Sequence, residues 1–68
     1  MTRYRHYKGG LYELVCTALL ESDPTVQMVV YKAANGTIWT RPATVFFESV
    51  DHQGVSVPRF ELIDSASR

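Results

Sequence analysis

Sixty-eight residues allow one domain near the lower limit for a self-sufficient core, since a chain of this size buries only about 60% of the surface its unfolded form exposes. Seven Lys and Arg balance seven Asp and Glu, and this neutrality argues against a dedicated nucleic-acid binder, whose domain is usually strongly basic. A single cysteine excludes an intramolecular disulfide, no compact set of metal ligands occurs, and no apolar run reaches membrane-spanning length, so the expectation is a cytoplasmic protein with no cofactor, metal or membrane contact.

The charge is unevenly spread. Arg3, Arg5 and Lys8 precede the first acid, Glu13, and are interleaved with Tyr4, His6, Tyr7 and Tyr12. A basic end of this kind attracts phosphates. Gly9-Gly10 lacks the length and the following Lys-Ser/Thr of a phosphate loop, and reads as a bend into the first long strand. Leu11–Leu20 fits both helical and strand periodicity, and the turns that follow decide for a strand.

Ser22, Asp23, Pro24 and Thr25 form a four-residue turn, with Pro fixing φ and Asp able to bond nearby backbone. Residues 27–33 are rich in β-branched and aromatic side chains, as strands are. Asn35-Gly36 predicts a two-residue type I′ hairpin, with residues 38–41 as the returning strand. Pro42 interrupts the ladder and opens a short helical turn through Phe46. Asp51-His52-Gln53-Gly54 has the Asp-first, Gly-last order of a type I turn and links strands near 47–50 and 55–57. A single domain is expected over residues 1–63, followed by a frayed tail at 64–68.

Those turns set a register. Lys32 falls opposite Trp39, Val30 opposite Arg41, Ala18 opposite Val29 and Cys16 opposite Tyr31. One face then gathers Tyr12, Leu14, Cys16, Ala18, Val29, Tyr31, Ala33 and Ile38 as the core. Cys16 on that face behaves as a small hydrophobe rather than a nucleophile. A meander this short removes its edges by closing, so the fold class is all-β, a small SH3-like barrel built on a β-meander.

Four stretches, Tyr4-Arg5-His6-Tyr7-Lys8-Gly9, Val29-Val30-Tyr31-Lys32-Ala33, Trp39-Thr40-Arg41-Pro42 and Val57-Pro58-Arg59-Phe60-Glu61, resemble a small bacterial family catalogued as domain of unknown function 1653. The resemblance covers nearly the whole chain and implies the SH3-like barrel and a bacterial origin, but no activity. The chain departs from the family pattern at Cys16, where Gly is usual, and in a shorter connection over 34–37. It departs again at Ala43-Thr44-Val45, which replaces a more helix-like Leu-Glu-Met and counts against the helical turn.

The hairpin register gathers Lys32, Trp39 and Arg41 on one face, an aromatic platform with cations beside it, suited to stacking a ring or holding a peptide. Tyr4 and Tyr7 extend the platform if the opening lies across it. His6 either bonds an anion there or donates to a backbone carbonyl and ties the opening to the barrel. No carboxylate pair or nucleophile–base pair is spaced for catalysis, so the expectation is a non-enzymatic binding or adaptor module. Its ligand is a protein, a peptide or a small molecule. The alternative is a nucleic-acid-binding module using the basic, Tyr-rich opening. Val15, Leu19, Met28 and Val30 form an apolar patch on the same outer face, which predicts cover by residues 4–8 or by a second copy in a weak homodimer.

Overall fold

The structure, a computed structural model, describes residues 2–64. Seven strands and one helical turn follow one another: β1 (Arg3–His6), β2 (Leu11–Leu20), β3 (Asp23–Ala33), β4 (Ile38–Pro42), α1 (Ala43–Phe46), β5 (Ser49–His52), β6 (Val55–Pro58) and β7 (Phe60–Asp64). All pairings are antiparallel, in a five-stranded sheet of order β4-β3-β2-β1-β7 and a two-stranded ribbon β5-β6. The fold is all-β, and Leu11–Leu20 is extended as expected. The expected frayed tail begins too early, because Asp64 ends β7 opposite Arg3; residues 65–68 lie outside the described residues.

No pairing joins β4 to β7 among the described residues, so the barrel expected from the sequence is not closed by hydrogen bonds. The sheet is nevertheless curled. Arg41 on β4 places its guanidinium carbon 5.8 Å from the Phe60 ring on β7. In a flat sheet the two backbones would stand roughly 19 Å apart, four strand spacings. The two ends meet through side chains instead of backbone.

The core lies inside that curl. Val29 and Phe46 are fully buried and Tyr31 and Phe60 nearly so. Phe46 stacks on Phe60 with ring centroids 4.1 Å apart and planes 5° from parallel. Tyr4 meets Phe46 edge-on at 5.2 Å, and Tyr12 meets Phe60 edge-on at 5.4 Å. A four-residue helix has no stability of its own. It forms here, despite Ala43-Thr44-Val45, because Pro42 presets its entry and Phe46 fills the core. Arg59 closes its far end: Nε donates to the Val45 carbonyl at 3.2 Å and Nη2 to Glu48 Oε1 at 3.1 Å.

The strand register differs from the expected one in three places; in one, Leu20 faces Asp23, so the β2–β3 turn is Glu21-Ser22 and not the four residues Ser22–Thr25. Gly36 N–H donates to the Ala33 carbonyl and Ala33 N–H to the Thr37 carbonyl, so the β3–β4 loop holds three residues, Ala34, Asn35 and Gly36. Of these, Gly36 alone has a positive φ, 90°, while Asn35 caps the loop by accepting the Thr37 N–H on Oδ1 at 3.0 Å. This is the type I turn with a left-handed glycine that three-residue hairpins prefer. The pairing therefore slips by one: Tyr31 faces Trp39, Val29 faces Arg41, and Lys32 faces Ile38.

In β2 the register shifts between Leu14 and Cys16, leaving Val15 as an extra residue. Leu14 still faces Tyr31, but Cys16 faces Val30 and Thr17 faces Val29. Cys16 is consequently exposed, and the buried thiol expected from the sequence is corrected. Leu19 faces Gln27, and Ala18 faces Met28, so the patch of Val15, Leu19, Met28 and Val30 is divided between two faces. Residues 4–8 do not cover it, because β1 pairs with Leu11, Tyr12 and Glu13. The two-residue hairpin occurs elsewhere: His52 faces Val55, with Gln53 and Gly54 at φ 54° and 79°. Both central residues are left-handed, as a type I′ turn requires, in place of the type I turn expected there.

Candidate functional site

The curl leaves a cleft of about 250 Å³ lined by His6, Tyr12, Tyr31, Trp39, Arg41 and Phe60. Each lining residue comes from a sheet strand: β1, β2, β3, β4 twice, and β7. Strand alternation explains the set. Trp39 and Arg41 are two apart on β4 and so share a face, and the hairpin register turns that face onto Tyr31 and Val29. His6 faces Phe60 across β1 and β7. Trp39 stays 53% exposed at the edge of the cleft, while Tyr31 and Phe60 form its buried floor.

Three of the residues expected at a site are thus brought together: Trp39, Arg41 and His6. Lys32 is not among them. It faces Ile38 on the other side of the sheet and lines a separate groove with Arg3 and Glu13, so the expected Lys32–Trp39 pair is corrected by the one-residue slip. Tyr4 packs into the core against Phe46 and Phe47, with centroids 5.2 and 6.2 Å away. Tyr7 stands beside His6 at 4.8 Å and His52 at 5.4 Å. It lines a larger cleft of about 520 Å³ on the far side of His6, with Arg5, Lys8, His52 and Glu61. The sequence places Tyr12 and Tyr31 on the core face and gives Phe60 no part in a site; their place in the cleft follows from the curl, which has no local signal in the chain.

His6 links the two clefts. Its ring meets the edge of Phe60 at 4.9 Å. Its Nδ1 accepts the Lys8 backbone N–H at 3.1 Å, so His6 ties down the bend as an acceptor and not as the carbonyl donor expected. Gly9 N–H donates to the His6 carbonyl at 2.8 Å and His6 N–H to the Gly10 carbonyl at 3.1 Å, which completes the bend at Gly9-Gly10. Burial, and then the nearby charges of Arg41, Arg59 and Lys8, hold the imidazole pKa below its ordinary 6.5. A neutral ring beside three cations is the electrostatic signature of this end of the molecule.

Among the described residues no group of three or more His, Cys, Asp and Glu gathers that could hold a metal ion. No helix is long and apolar enough to cross a membrane. Fold and cleft together define a small antiparallel all-β protein with a mouth that is aromatic inside and cationic at its rim. Residues 2–62 match the family model described as Protein of unknown function (DUF1653), and the chain belongs to that family. No curated protein and no solved structure matches it.

Proposed function

We propose that the protein is a non-enzymatic binding module of the bacterial cytoplasm whose ligand enters the cleft between Trp39 and His6. The SH3-like reading of the fold belongs to this proposal, supported by the curl that brings Arg41 to Phe60. One observation carries the binding reading. Trp39 and Arg41 stand side by side over a buried aromatic floor, with the indole half in water and room beside it. Large aromatic and Arg side chains left partly open over a concave apolar surface are what ligand sites and interface anchors use. The nucleic-acid alternative is less favoured, because Glu13 faces Arg3 and Glu61 faces Arg5, so two cations of the opening each lie across from an acid.

The proposal includes a weak homodimer. Among the described residues the pairing on the β1 side reaches no farther than Leu14, whose N–H donates to the Thr2 carbonyl at 2.8 Å, and residues 16–20 have a strand partner on the β3 side only. This edge carries no charge, and a second copy offers an equally free edge. With Thr17 on the two-fold axis, Cys16 would face Ala18 and Val15 would face Leu19, apolar on apolar. Five residues of edge bury far less than the roughly 1,200 Å² of a stable interface, so the association is weak.

Backbone chemical-shift mapping against peptide, metabolite and RNA pools tests the binding reading. Perturbations gathered on His6, Tyr31, Trp39, Arg41 and Phe60 are the expected result. Perturbations on Arg3, Arg5 and Lys32 that vanish steeply with salt would replace it with the nucleic-acid reading.

A further inference from the structure

Arg41 and Arg59 are both half-buried, yet only one is satisfied. Arg59 holds the Val45 carbonyl and the Glu48 carboxylate. The Arg41 guanidinium has no hydrogen bond and no ion pair among the described residues and lies over the Phe60 ring. A guanidinium offers five donors in a planar fork, a geometry that fits two oxygens of one carboxylate or phosphate. No buried side-chain nitrogen or oxygen among the described residues lacks a partner, so the Arg41 fork opens to water and is free to take an acceptor that enters the cleft.

His6 presents a second open donor. Because Nδ1 accepts the Lys8 N–H, the neutral ring carries its proton on Nε2. That nitrogen has no partner among the described residues. Both donors lie against one ring: the Arg41 guanidinium carbon is 5.8 Å, and the His6 centroid 4.9 Å, from the Phe60 centroid. No acid lines this cleft. Glu48 is engaged by Arg59, and Glu61 lies in the neighbouring cleft with Arg5, on the far side of His6.

Resting on the binding reading above, we propose that the cleft recognises a single oxyanion group, a carboxylate or a phosphate, held between the Arg41 fork and the His6 Nε2–H. The flat apolar remainder of the ligand lies against Trp39. The groups around His6 are Arg41 from β4, Arg59 between β6 and β7, Glu61 on β7 and Arg5 on β1, Lys8 in the bend, Tyr12 on β2, and Tyr7 with His52 behind it. The cations among them disfavour a charged imidazole in the empty protein. A bound anion offsets them and raises the proton affinity of His6, so a ligand that stays ionised binds more tightly as pH falls.

Trp39 is the only tryptophan, so its fluorescence reports directly on this cleft. The probes are benzoate, phenyl phosphate and neutral benzamide, titrated into the intact chain. At least one anion should bind about tenfold or more tighter than benzamide, the size expected for hydrogen bonds to a charged group. The tighter anion names the source, carboxylate or phosphate. Arg41→Gln should abolish that preference while Arg41→Lys, with the same far-ultraviolet circular dichroism, keeps part of it. His6→Gln, which retains an N–H, should bind benzoate without the tightening at low pH. Benzamide binding as well as both anions would overturn the proposal and leave the binding reading standing. Anion binding unchanged in Arg41→Gln, or no response to any of the three probes, would overturn it as well.

Discussion

Strands β2 and β3 run side by side for their whole length, but their two halves live in different surroundings. In the half that includes Tyr12, Leu14, Val29 and Tyr31, the pair is flanked by β1 and β4 and covered by Phe46 and Phe60. In the other half, residues 15–25 are exposed without exception, and Leu19 reaches 67%. The packed half is paired on both sides, whereas in the bare half β2 and β3 pair only with each other among the described residues. Flanking strands and cover are lost together. The packed half concentrates nearly all buried aromatic surface of a very small core, and the bare arm contributes apolar side chains that the described chain leaves in water.

The largest test of that contrast is Phe46→Ala. It removes one of two fully buried side chains and the stacking partner of Phe60, and should cost about 3–5 kcal/mol. A core of this size rarely supplies more than roughly that amount, so thermal melting should find the variant largely unfolded at room temperature.

Arg59→Leu is next. It removes one of two hydrogen bonds to the Val45 carbonyl, which keeps the Glu48 N–H at 3.2 Å, together with the half-exposed pair with Glu48. The loss should be about 1 kcal/mol by denaturant titration, most of it from the bond to the carbonyl, because exposed ion pairs contribute little.

How much of this was legible in the chain depends on distance. The extended character of Leu11–Leu20, the bend at Gly9-Gly10 and the helical turn after Pro42 follow from local chemistry, and the structure has all three. The turn expected at Ser22–Thr25 falls instead at Glu21-Ser22, and Asp23 and Thr25 already belong to β3, where Asp23 Oδ1 accepts the Thr25 N–H at 3.3 Å. Registers failed because each rested on a loop length. Asn35-Gly36 serves a three-residue loop as readily as a two-residue one, with the glycine alone left-handed, and nothing local marks Val15 as a bulge. Those two slips moved Lys32 off the site, exposed Cys16, and turned Trp39 and Arg41 inward. The pairing of β1 with β7 joins residues more than fifty positions apart, and no short-range pattern announces it.

His6 gives a smaller, pH-dependent test of the packed half. Its folded pKa is depressed, so between that value and 6.5 the unfolded chain binds more protons than the folded one. Stability should therefore rise with pH across that window, level off above 6.5, and decline as pH falls through the folded pKa. His6→Asn should flatten this segment of a stability–pH profile, with the carboxylate-driven losses at lower pH unchanged.

Leu19→Lys, in the bare arm, should change monomer stability by less than about 0.5 kcal/mol, as surface substitutions do. Sedimentation equilibrium from micromolar to millimolar protein should show weak association in the parent chain and less in the variant. A monomer at every concentration would leave the arm without a second copy.

The whole account of the cleft depends on one register, that of Trp39. Nuclear Overhauser contacts from Trp39 read it directly in the intact protein. Contacts to Tyr31 across the β3–β4 pair are predicted, together with weaker ones towards the Arg41 side chain on the same face. Contacts to Lys32 in their place would put the indole on the outer face, remove it from His6 and Phe60, and contradict the site.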